Sequence, residues 1–361
     1  MKEKALFYGE LACNTIINRY LPEELPPVGD FHYHQGVFLS GVMNIYDICK
    51  KEYYFEYIKK WVDCIVYENG VIHWFVKGSL DDYMAGLLLF PLYEKTKEKK
   101  YIDALHLLMG NIKNWCRNSK GGFWHKEWLP NQMWLDGLYM VGPLQAIYGT
   151  KYKEKEFLEQ AINQAYIMYE NMQDSNTKLL YHAWDEDKNT VWANKETGLS
   201  SEFWGRSIGW YVVAILDIME SMDEKDSEYL KLSSIVTEVL KAIINYRDEK
   251  RFLWYQVVDK GNETGNWLES SCSCLFVYAI AKSIRMGLLE PYYLKLVKES
   301  FMEIINNFVK IDNLNNLWLN GICIGTGVND YKGYIERPTS VNDLHGMGAF
   351  LLMCAELCKV E

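Results

Sequence analysis

The stretch GGFWHKEWLPNQMWLDGLYMVGPL, residues 121–144, sets the pattern for the whole chain: a Gly- and Trp-rich polar segment that runs into an apolar helical run. Comparable segments recur every 50 to 60 residues or so: HYHQGVF at 32–38, WFVKGSLDDY at 74–83, LLYHAWDE at 179–186, RFLWYQVVDK at 251–260 and NLWLNGICIGTG at 316–327. A repeat of that period marks a repeated supersecondary unit. Apolar spacing supplies the rest of the unit. Leu105, Leu108, Ile112 and Trp115 recur at three and four, as do Ala161, Ala165, Met168 and Tyr169, and Ile208, Tyr211, Ala214, Ile215 and Ile218. Further helices are expected at about 230–247, 275–286, 293–308 and 343–358, and few stretches alternate as strands do. Six helical hairpins closed in a ring, an all-α (α/α)6 barrel with the aromatic loops at one mouth, is the expected fold. No Pro/Ser-rich linker divides the chain, so residues 1–361 read as one catalytic domain.

Composition narrows the function. The 361 residues carry a formal charge of -10, which offers no electrostatic footprint for nucleic acid or an anionic membrane. The longest uncharged windows, 137–150 and 270–281, are shorter than the roughly 20 apolar residues of a membrane span. Nine scattered Cys without a CxxC pair, and an N-terminus interrupted by charge, read as a cytoplasmic protein with reduced thiols. The 13 Trp and 26 Tyr exceed what a core needs and suit a cleft lined with flat rings, for which a sugar is the obvious ligand.

Phosphate loops, zinc helices and nucleophile elbows are missing, which leaves carboxylates, His and Trp in the loops. Asp136 lies between Trp134 and Gly137 at a helix start. It reads either as an N-cap or as an acid whose pKa its aromatic neighbours raise. Ser79 and Asp82 have nearly capping-box spacing, which assigns Asp82 to structure and leaves Asp81 free to face a cavity. Arg206 and Trp210 share a helix face, with Trp204 at its entrance, and so form a pocket for a ring carrying a carboxylate. His125 and His182 add polar contacts. His32 and His34 share a face if the loop is extended, but without a third ligand they do not make a metal site.

Taken together, HYHQGVF, the Asp81–Asp82 pair, His125–Lys126, PNQMWLDGLYM (130–140), YHAWDE, TGLSSEFWGRSIGWY, WLESSCS and ERPTSVNDLHGMGAFLL resemble glycoside hydrolase family 105, the unsaturated rhamnogalacturonyl hydrolases. The matches follow one order along essentially the whole chain. The resemblance implies an (α/α)6 barrel that acts on pectin-lyase products ending in a 4,5-unsaturated galacturonyl residue. It places the catalytic acid on Asp136 and a second acidic position on Asp81. Substrate contacts then fall on Tyr33, His34, His125, Lys126, Trp134, His182, Trp204, Arg206 and Trp210, with no metal or organic cofactor. His345 stands where the family pattern has Lys. Two other readings stay open: an ordinary inverting glycosidase using Asp81 and Asp136, and a non-catalytic carbohydrate-binding helical protein. The aglycone, the uronic acid epimer and the oligomeric state are not read from the sequence.

Overall fold

In the computed structural model each aromatic segment feeds a helix. It describes every residue except Trp74, Val76, Lys77 and Glu361, so part of the 74–83 segment lies outside the described residues. The helices are α1 (Lys2–Ile17), α2 (Tyr33–Cys49), α3 (Glu52–Ile65), α4 (Leu89–Thr96), α5 (Lys99–Lys113), α6 (Asp136–Lys151), α7 (Lys155–Met172), α8 (Gly205–Met219), α9 (Ser227–Asn245), α10 (Ser270–Arg285), α11 (Leu294–Phe308), α12 (Tyr331–Ile335) and α13 (Leu344–Leu357). Two 3₁₀ turns, Leu80–Asp82 and Met84–Leu88, lead into α4.

These helices form two rings. The inner ring runs α2, the 84–88 turn with α4, α6, α8, α10 and α13; neighbours pack in that order, and α13 returns to α2. Outside it α3 packs on α2, α5 on α4, α7 on α6, α9 on α8, α11 on α10 and α1 on α13. The (α/α)6 barrel expected from the repeat is therefore the fold.

Burial follows from the position in the rings. Every residue of α13 is buried, whereas α11 buries the stripe Leu296, Val297, Ser300, Phe301, Ile304, Ile305 and Phe308. An inner helix is covered on all sides and so is apolar all round; an outer helix needs only one apolar face. Close approach at the α2–α13 seam depends on Gly348, where a Cβ would lie 2.6 Å from the Val37 backbone.

Short ladders stiffen the loops at the mouth. β1 (Gln132–Trp134) pairs antiparallel with β2 (Ala183–Asp185), setting Trp134 opposite Ala183. β3 (Val309–Ile311) pairs with β4 (Leu317–Leu319), and β5 (Ile322–Cys323) with β6 (Thr339–Ser340). Among the described residues no helix is long and apolar enough to cross a membrane.

Candidate active site

The N-terminal ends of the inner helices surround a cavity of about 310 Å³. All the residues expected to act or to bind line it except His182, which stands behind Asp136. A cavity of about 360 Å³ lies at the other end of the ring around Lys282 and Asp217. Its charges are already paired, with Lys282 Nζ 2.5 Å from Asp217 and 2.7 Å from Glu220.

Asp136 is the first residue of α6, and its side chain caps no backbone N–H, so the N-cap reading is set aside. The β1–β2 pairing brings the two loops together: the Leu135 N–H donates to the His182 carbonyl at 3.0 Å. That places His182 Nε2 3.0 Å from Asp136 Oδ2, while the Tyr334 hydroxyl lies 2.6 Å from His182 Nδ1. Burial by itself raises the Asp136 carboxyl. The charge and hydrogen bond of His182, with His125 and Arg206 beyond, outweigh burial and hold it below the ordinary carboxylate value. The raised pKa expected from the aromatic neighbours is therefore corrected: His182 holds the Asp136 carboxyl low, toward its anionic form. Gly137 follows because a Cβ there would sit 3.1 Å from His125 Nδ1 and 3.2 Å from Leu80 Cδ1.

Asp81 faces the same cavity from the first 3₁₀ turn. Ser79 Oγ accepts the Asp81 N–H at 3.3 Å, so Ser79 caps through Asp81 and not through the Asp82 capping box the spacing suggested. The carboxylate lies 3.1 Å from Lys126 Nζ and 3.4 Å from His125 Nε2. Burial opposes ionisation, but His125, Lys126 and His32 bring the pKa down to about 2. For Asp82 burial and the neighbouring Asp81 act together and push the pKa up to about 8. His125 is buried and stacked on Trp134 at 4.5 Å.

Arg206 lines the pocket with its guanidinium 4.6 Å over the Trp204 ring. Two of its N–H groups donate to the Cys323 and Ile324 carbonyls, at 2.5 and 2.9 Å, so it also holds the 323–327 loop in place. Trp210 stacks on Tyr139 at 4.5 Å, and Trp204 Nε1 donates to Gln256 at 3.1 Å. Tyr33 opens α2, so the first-loop histidines belong to a helix start and not to an extended loop. Their pairing holds, with His32 Nδ1 2.9 Å from His34 Nδ1. The other nitrogen of His34 faces Asp343 at 3.7 Å.

Several functional positions escaped the sequence reading. Tyr334, fully buried, fixes His182 and stacks on Trp204 at 5.8 Å, but it lies in the five-residue α12 with no motif to mark it. Gly325, Thr326 and Gly327 also line the pocket. The Gly-rich ending of NLWLNGICIGTG was the available signal for them.

Comparison with known proteins gives a consistent result. The family model described as Glycosyl Hydrolase Family 88 matches residues 8–361. The solved structure of a family 105 glycoside hydrolase from C. acetobutylicum ATCC 824 is 33% identical, with a TM-score of 0.93 over 98% of this chain and 99% of that one. The unsaturated rhamnogalacturonyl hydrolase YesR of Bacillus subtilis (strain 168) is 23% identical over 363 residues, covering 99% of this chain and 98% of the relative. The unsaturated glucuronyl hydrolase of Bacillus sp. GL1 shares the fold at a TM-score of 0.74 and 13% identity.

Proposed function

Because this chain belongs to the glycoside hydrolases of families 88 and 105, we propose that it removes the 4,5-unsaturated galacturonyl residue from rhamnogalacturonan fragments left by pectin lyases. The observation that carries the reading is a pocket in which two carboxylates, the buried Asp81 and the half-buried Asp136, face the cations Arg206 and Lys126. Such a pocket suits a single anionic sugar ring.

The substrate's C4=C5 bond adjoins the ring oxygen and is therefore an enol ether. Asp136, as the carboxylic acid, gives its proton to C4 while the π electrons form the new C–H bond. The cation left at C5 is stabilised by the ring oxygen. Water adds to C5 and returns a proton to the Asp136 carboxylate. The hemiketal opens to a C5 ketone, and the freed hemiacetal at C1 releases the aglycone as an alcohol, so that one water is consumed overall. Because His182 holds the Asp136 carboxyl low, its proton is taken up together with the substrate, whose carboxylate is a like charge that raises the Asp136 pKa. Lys126, Arg206 and the His residues hold the uronate; Trp134, Trp204 and Trp210 pack against the ring and exclude water.

Isotopes test this reading. In H₂¹⁸O and D₂O, solvent oxygen is expected at C5 and deuterium at C4, and a saturated disaccharide analogue binds without being cleaved. Cleavage of that analogue at a comparable rate, or solvent oxygen only at the anomeric carbon, would replace hydration with ordinary inverting hydrolysis.

A further inference from the structure

We propose that His34, Asp343 and His345 form a binding site for a first-row divalent cation of the zinc type, at the seam where the first and last inner helices meet. His345 is fully buried, and its Nε2 lies 3.0 Å from the Cys323 carbonyl, which can only accept. Nε2 therefore donates to that carbonyl, which leaves Nδ1 as the ring atom turned toward Asp343. Nδ1 lies 2.8 Å from Asp343 Oδ1. A bound cation can bridge these two atoms.

A third donor is in place. His34 Nε2 lies 3.7 Å from the same Oδ1, and the three donor atoms all fall within 4.8 Å of one another. Donors about 2.1 Å from one ion are separated by roughly 3.0–3.4 Å, so small ring rotations complete the set. Both imidazoles have outer partners of the kind that orient metal ligands: the Cys323 carbonyl for His345, and His32 Nδ1, 2.9 Å away, for His34. Two imidazoles and one carboxylate select zinc, cobalt or nickel over magnesium or calcium. A cavity of about 390 Å³ lined by His34, Asn342 and Asp343 gives water access to the remaining positions. The bound ion would tie the first turn of α2 to the start of α13. His34 also lines the substrate pocket, so the test below reads metal binding and not turnover, and its failure is distinguishable from failure of the hydration reading.

The test uses the full chain, stripped with chelator and titrated with cobalt(II) and then zinc. Visible d–d absorption saturating at one equivalent, displaced by zinc and accompanied by a rise in Tm, is expected. Asp343→Asn should weaken cobalt binding at least tenfold, and should that variant fail to fold, His34→Gln serves the same purpose. Absence of cobalt absorbance, a thiolate-to-cobalt band showing the ion on cysteine, or unchanged affinity in the folded variants would overturn the site and leave His345 and Asp343 as a directly paired imidazole and carboxyl.

Discussion

Asp136 and Asp82 show how differently two neighbouring carboxyls of one barrel mouth can be set. Asp136 is held low by His182, so it must gain its proton in the complex. Replacing it by Asn should lower kcat by about 10²–10⁴, the usual contribution of a general acid, while substrate still binds; steady-state and binding measurements on one preparation check this. In the wild type, kcat should persist to higher pH than kcat/KM, since kcat reports the complex and kcat/KM the free enzyme. Coincident profiles would mean that substrate does not raise the Asp136 pKa. Asp82 titrates in the opposite sense, pushed up to about 8 by burial and by Asp81. Its folded-state value lies above the unfolded one, so its contribution to stability is complete below about pH 4 and is lost as pH rises through about 8. Asn mimics the protonated carboxyl. Thermal melts of Asp82→Asn should therefore gain on the wild type at pH 8 relative to pH 5, and an equal difference at both would show Asp82 ionised throughout.

Helices act here through where they begin and how closely they approach. Asp136 opens α6, Arg206 lies in the first turn of α8, and Asp343 precedes α13, so these charged groups sit at helix starts. The α2–α13 seam is the tightest of the approaches described above. A Cβ at position 348 would meet the Val37 backbone at 2.6 Å, which no side-chain rotation relieves. Gly348→Ala should cost about 1–3 kcal/mol, the range for overpacking a core, and denaturant unfolding measures it. A loss below about 0.5 kcal/mol would mean that the two helices move apart freely.

At the scale of the whole molecule, the ring brings residues from distant parts of the chain into one pocket. Tyr33 belongs to the first inner helix and Thr326 to the last loop, yet both line the same cavity. Substrate binding then stabilises the folded ring as a unit. Asp136→Asn, expected to bind substrate and turn it over far more slowly, should show its unfolding transition shifted upward by substrate, by about 2.7 kcal/mol at a hundred times Kd. Calorimetry with and without the disaccharide checks this, and an unmoved transition would show that the pocket forms no complex.

The helical hairpins and their closure were legible in the sequence because local periodicity and a repeat of aromatic loops are properties of neighbouring residues. Asp136, Asp81, His125, Arg206 and the Trp residues stood out because polar and aromatic groups ahead of an apolar helix have no place in a core, whereas Lys126 was marked only by the family resemblance. The protonation states were not legible. Aromatic neighbours in sequence suggested a raised Asp136, but the decisive neighbour is His182, 46 residues away and delivered by the β1–β2 pairing. Tyr334 reaches His182 across 152 residues, and His345 meets the first-loop histidines only because α13 closes on α2. Periodicity along the chain determined which segments are helices and which end of each is polar. Only the closed ring decided which charges face one another, since Coulomb and hydrogen-bond energies depend on distance in space and not along the chain.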